Sequence, residues 1–159
     1  MAEEIFTAST ENLRDLKKQR KRICALVNRA IREKQDPDLI SLTKMYALLY
    51  SAYVETSFLK LIHTPKAFTE SEIIQIMAER NLEQKWLKCV DLAFNKLNTT
   101  NLGEVANKKQ TLHRLLQEYI IDPSQIRNKV AHGQWVYCLN NECTKAVSYT
   151  HLTLPTNRE

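Results

Sequence analysis

The sequence predicts an all-α fold, an antiparallel helical bundle of four to five helices closed by a small C-terminal β-hairpin. Three observations predict it. The 159 residues are 43% hydrophobic, enough for one domain with a real core and too few for two. Only two glycines and four prolines punctuate the chain, whereas an all-β domain needs many turns, and turns favour Gly, Pro and Asn. Apolar residues recur at three- and four-residue spacing over long stretches, the period of one helical face.

The first helix is expected from about Ser9 to Lys34, carried by Leu13, Leu16, Ile23, Leu26, Val27, Ala30 and Ile31. Asp36-Pro37 then reads as a helix start, Asp as N-cap and proline at the first helical position, where its missing N–H costs nothing. The second helix, Pro37 to about His63, has a wide apolar stripe that suits a central bundle helix. Thr69-Glu70-Ser71-Glu72 fits a capping box and opens a third region from Glu70 to Leu97, with a kink or break near Asn81. Asn101 with Glu104 is a weaker box before a fourth helix, Gly103 to Ile121. Asp122-Pro123 repeats the start signal for a short fifth helix, which should end near Gly133, a natural C′ residue. After it, Trp135 to Leu139, then Asn140-Asn141, then Glu142-Cys143-Thr144 reads as a hairpin in which Cys138 faces Cys143.

The net charge of +5 suits an anionic partner without demanding one. No apolar run approaches the ~20 residues of a membrane span, and the N-terminus MAEEIFTASTENL lacks the layout of a signal peptide. The expectation is a soluble, cytoplasmic protein with no membrane association. Cys24 and Cys89 fall on helical patterns, where a buried thiol acts as a small apolar group. Cys138 and Cys143, with His132 and His151, raise a metal reading, but zinc sites usually use tight Cys pairs. Reduced thiols are therefore expected, with no metal and no cofactor.

Residues 147 to 156, VSYTHLTLPT, resemble the translation of a transposon-end adapter used to build sequencing libraries. On that reading residues 1–146 are one helical domain and 147–159 a non-native tail, with no history of selection against this core. Amide exchange should then be unprotected across 147–159; strong protection throughout would count against an adapter origin.

The remaining signal is Arg127-Asn128-Lys129-Val130-Ala131-His132. It resembles the Arg-x-x-x-x-His signature of the HEPN superfamily, including the asparagine directly after the arginine, in the all-α context that family has. The resemblance implies a dimeric bundle, in many members a metal-independent ribonuclease acting as a toxin or defence effector; other members have lost catalysis. Chemistry explains the residue types. Cleaving RNA through its own 2′-hydroxyl needs proton transfer, which a histidine performs near neutrality, and stabilisation of phosphorane charge, which a guanidinium supplies. Arg127 and His132 lie roughly 140° apart on a continuous helix, whereas Asn128 and His132 share a face. A two-fold homodimer brings both key groups to one axis, with Asn128 positioning phosphate or holding the imidazole. Against this stands a plain alternative: basic residues near a helix C-terminus complement its macrodipole and need no substrate.

Two further features bear on the site. Glu55, acidic on an otherwise apolar helix, either orients Arg127 or His132, as HEPN proteins often carry a polar residue there, or is a solvated outer-face glutamate. The run Lys17, Lys18, Arg20, Lys21 and Arg22, with Lys129 in the motif, either tracks an RNA backbone or is a solvated face. In HEPN toxins neutralised by a nucleotidyltransferase antitoxin, a tyrosine stands two residues after the histidine; here that position is Gln134 and the nearest tyrosine is Tyr137, which puts that mode in doubt. The reading is cleavage of single-stranded RNA, with an antitoxin protein as a further candidate partner; the alternative is a non-catalytic HEPN bundle that binds a protein or nucleic acid.

Overall fold

The computed structural model describes residues 2–97, 101–134, 138–139 and 144–147. Helix α1, Ala2–Arg32, begins well before the apolar pattern does. Glu3 and Glu4 sit in its first turn, where negative charge complements the helix dipole. The helix ends in a Schellman arrangement: Gln35 N–H donates to the Ala30 carbonyl (2.9 Å) and Lys34 N–H to that of Ile31 (3.3 Å). Lys34, at φ 56°, occupies the left-handed position that glycine usually takes. Helix α2, Asp36–Ile62, follows at once. Asp36 is its first helical residue rather than its cap, one position from the expectation.

α1 and α2 pair closely along their lengths. Cations of one lie over rings of the other: the Arg20 guanidinium is 5.4 Å from the Tyr53 ring centre and Lys60 Nζ 5.3 Å from that of Phe6. The other side of α2 meets α4 and α6. The region after Thr69 splits as its sequence suggested. The Thr69 hydroxyl accepts from Glu72 N–H, and the Glu72 carboxylate accepts from Thr69 N–H at 2.7 Å, which opens α3, Glu70–Met77. The Asn81 side chain accepts from Gln84 N–H at 2.8 Å and opens α4, Leu82–Asn95.

The core lies where α2, α3 and α4 converge, on Phe58, Ile62, Ile76 and Cys89. Trp86 tilts against Phe58 with ring centres 4.9 Å apart. Burial pushes the Cys89 thiol up to about 11, so it is an uncharged packing group at neutral pH. Cys24, expected to be buried likewise, is exposed.

The larger correction concerns Asp122-Pro123, which starts no new helix. Helix α5, Leu102–Leu116, passes into a π-helical turn, Gln117–Ile121, and directly into α6, Asp122–Ala131. A proline inside a helix lacks the N–H that the carbonyl four residues back expects, and its ring crowds that carbonyl. For Pro123 that carbonyl belongs to Tyr119. The wide turn relieves the crowding, and the Tyr119 carbonyl accepts a hydrogen bond from the Tyr50 hydroxyl of α2 at 2.7 Å. Asp122, helical at φ −59° and ψ −46°, takes a hydrogen bond from Gln117 Nε2 at 2.7 Å instead of capping. α6 stops where the sequence placed its stop. Gly133 has φ 75°, and Gln134 N–H and Gly133 N–H donate to the carbonyls of Lys129 and Val130, a second Schellman arrangement.

Among the described residues the fold is thus all-helical apart from one two-residue ladder, β1 Cys138–Leu139 against β2 Ala146–Val147. The tight hairpin expected around Asn140-Asn141 is not seen. Cys138 stands opposite Val147 and Leu139 opposite Ala146, a register that differs from the expected one. Neither Asn140 nor Asn141 is the glycine that a two-residue hairpin turn favours. Cys143, His151 and the rest of the expected tail beyond Val147 lie outside the described residues. Among the described residues no helix is long and apolar enough to cross a membrane.

His63, at the end of α2, is buried with Nδ1 unpartnered, and burial lowers its pKa. The folded state therefore favours the neutral ring, and its contribution is complete above the ordinary histidine value of about 6.5 and lost as pH falls below it. Glu72 is also held low, first by Lys96 (2.7 Å) and then by Thr69 N–H, but its contribution is lost only at still lower, carboxylate pH. Urea unfolding midpoints should fall between pH 7 and 5.5 in the parent and stay flatter in His63→Gln. An equal slope in both would remove His63 as the cause.

Candidate functional site

α6 packs on α2, with Val130 and the preceding Ile121 buried, and Arg127 meets the C-terminal half of α2 at Glu55. Arg127 Nη2 lies 2.5 Å from Glu55 Oε1. The same oxygen accepts from the Ser51 hydroxyl one turn earlier, at 3.3 Å. The pair is partly wet: the Arg127 side chain is 29% exposed and that of Glu55 48%. Arg127 Nε is buried without a partner, so one edge of the fork faces protein while the rest meets Glu55 and solvent.

The π-helical turn is what gives α6 its rotational setting. A π turn holds one residue more than an α turn, so every residue after it sits about 100° around from where an unbroken helix would carry it. Tyr50, five residues before Glu55 on α2, fastens that turn through the Tyr119 carbonyl. Tyr50 was not among the residues singled out by the motif. Its only sequence signal is Pro123 lying inside an apolar pattern that continues on both sides.

Of the other motif residues Val130 is buried and Ala131 exposed. Asn128 and His132 are exposed and Lys129 is half-buried. His132 is the C-cap of α6, with φ −89° and ψ 20°, and its backbone N–H donates to the Asn128 carbonyl at 3.0 Å. The helical turn therefore runs through to His132. Among the described residues no hydrogen bond or ion pair joins its imidazole to Arg127 or Glu55. One chain brings Arg127 and Glu55 together and makes no such link to His132.

Of the basic run on α1, Lys17, Lys18, Lys21 and Arg22 are exposed, while Arg20 is half-buried over Tyr53 and belongs to the α1–α2 seam. A broad open groove lies on α5 and the end of α4, lined by Phe94, Asn101, Glu104 and Lys108 among others; it includes no residue of the motif. Among the described residues no group of three or more His, Cys, Asp or Glu side chains could hold a metal ion. No family model matches the chain, and neither does any curated protein or solved structure.

The Arg127–Glu55 contact is a long-range pair in a half-wet setting, so its worth should be modest. A double-mutant cycle with Glu55→Gln and Arg127→Gln should give a coupling of about 0.5–1 kcal/mol in unfolding free energy. The coupling should shrink in 1 M salt. A coupling of zero at low salt would mean that the pair does not form in solution.

Proposed function

We propose that this chain is a HEPN-type bundle acting as a homodimeric, metal-independent endoribonuclease of the toxin or defence kind. It cuts single-stranded RNA through the 2′-hydroxyl. His132 carries the proton between attacking and leaving oxygens. Arg127 stabilises the negative charge that builds on phosphorus, and Asn128 positions the phosphate. Glu55 orients the guanidinium, and Lys129 contributes to RNA binding.

The observation that carries this reading is the Arg127–Glu55 contact, which joins the arginine of the motif to a carboxylate on α2, 72 residues away. A planar fork held on one side by a carboxylate keeps donors free for a phosphate on the other. His132, exposed at the helix end, is open to substrate, and a two-fold axis supplies the second chain's histidine to the first chain's arginine. Neither proton transfer nor charge neutralisation in this scheme calls for a metal ion.

A second reading keeps the bundle and drops catalysis, the chain binding a partner such as an antitoxin protein. Exposed apolar side chains favour it: Met45 and Leu48 on α2, and Leu112, Leu115 and Tyr119 on α5 and the π turn, are each more than a third exposed.

Incubation with RNA in excess chelator separates the two, and 2′,3′-cyclic phosphate ends distinguish this chemistry from contaminants that leave 3′-hydroxyls. His132→Ala should lose on the order of 10²–10⁴ in rate while keeping RNA affinity. Arg127→Lys should also impair cleavage, because a point charge does not replace the fork. If His132→Ala cleaves like the parent, the partner-binding reading takes its place. A strict monomer by light scattering that still cleaves would sink the shared site.

A further inference from the structure

The solvent face of α1 carries more than the short run noticed in the sequence. With about 100° between successive helical residues, Arg14, Lys17, Lys18, Lys21 and Arg22 fall within one arc of about 140°. Arg29 and Arg32 fall in the same arc two turns further on. All seven are exposed, and none forms an ion pair or lies over a ring among the described residues. Ala25 and Asn28 are the other residues of that arc between Arg14 and Arg32, and both are exposed. From Leu16 to Arg32 the helix has no acidic residue. Seven cations on one face exceed the net charge of the whole chain, +5, so the charge is concentrated on this face. Arg20, in the middle of the sequence run, points away from it to Tyr53.

We propose that this face is a docking track for the phosphodiester backbone of a double-stranded nucleic acid. From Arg14 to Arg32 the track is about 27 Å long, a span over which the two strands of a duplex together carry roughly 16 phosphates. Binders of single strands add aromatic platforms on which bases stack; the track has no aromatic residue, so it offers charge for a regular backbone and nothing for an unstacked base. A helix lying in a lipid surface inserts its apolar face; on α1 Leu13, Leu16, Ile23, Val27 and Ala30 are buried or half-buried, leaving Leu26 and Ile31 exposed. The arc also lacks the buried aromatic or aliphatic anchors on which protein interfaces depend. The inference does not rest on the ribonuclease reading, because a backbone track needs neither Arg127 nor His132.

The test is fluorescence anisotropy of the full-length protein with a 24-base-pair 2′-O-methyl RNA duplex, which cannot be cut through a 2′-hydroxyl. The matching DNA duplex, the single 2′-O-methyl strand and anionic phospholipid vesicles are parallel arms. Log affinity against log salt should fall with a slope of about −6, as for seven phosphate contacts. Combining Lys17→Gln, Lys18→Gln, Lys21→Gln and Arg22→Gln should flatten the slope to about −3 and weaken duplex binding by at least about tenfold. Neutralising the exposed Lys66 and Arg80, away from the track, should change affinity less than about twofold. Circular dichroism checks that each variant keeps its helices. Preference between the RNA and DNA duplexes shows which helix geometry the track fits. Unchanged duplex binding in the fourfold variant overturns the proposal, as does equal, equally sensitive binding of the single strand. Binding to vesicles but not to duplex overturns it too.

Discussion

One missing N–H governs the half of this molecule that carries the candidate site. Pro123 stands inside a helix that otherwise runs from Leu102 to Ala131. Because it can neither donate to the Tyr119 carbonyl nor approach it closely, the chain widens into a π turn. The wide turn leaves that carbonyl without the donor a plain helix would give it, and Tyr50 supplies one. A single backbone defect is thus converted into a specific contact between the long helix and α2. The Arg127–Glu55 contact lies on the same two helices, just beyond it.

α2 contacts α1, α4 and α6. α1 pairs with it along its length, where cations lie over aromatic rings. The C-terminal end of α2 enters the apolar cluster with α3 and α4. Before that end Tyr50, Ser51 and Glu55 form a short polar stretch facing the π turn and α6. Such a stretch costs stability when unpartnered, since buried polar groups lose water. Here each of the three has a hydrogen-bonding partner, and the wetness of the Arg127–Glu55 pair keeps its desolvation cost low.

What was legible in the sequence was what short-range chemistry decides. The Thr69 capping box, the Asn101 cap and the Gly133 stop each depend on groups a few residues apart, and each stands where the residues put it. The two Asp-Pro pairs show the limit of that logic. Before Asp36 the chain has already turned at Lys34, so proline opens a helix; before Asp122 the apolar pattern runs on and nothing stops it, so the same dipeptide is absorbed. The hairpin register failed similarly, because two asparagines mark a turn without fixing its length. At the candidate site the spacing of Arg127, Asn128 and His132 could be read directly. The partner of Arg127 could not, because Glu55 is 72 residues away and meets it only through the packing of α6 on α2.

The π turn also makes the long helix a matter of counting. Between Leu102 and Arg127 the chain has one residue more than a straight α-helix of that span needs, and the extra residue is stored in Gln117–Ile121. A deletion there, with Pro123 replaced by a residue that has an N–H, would give a plain helix that still delivers Arg127 to Glu55. Replacing the proline and letting the turn tighten at unchanged length would deliver Gln125 or Ile126 toward α2 instead. In this segment the number of residues and the identity of residue 123 are therefore one joint requirement, so insertions, deletions and proline substitutions there are tolerated together or not at all.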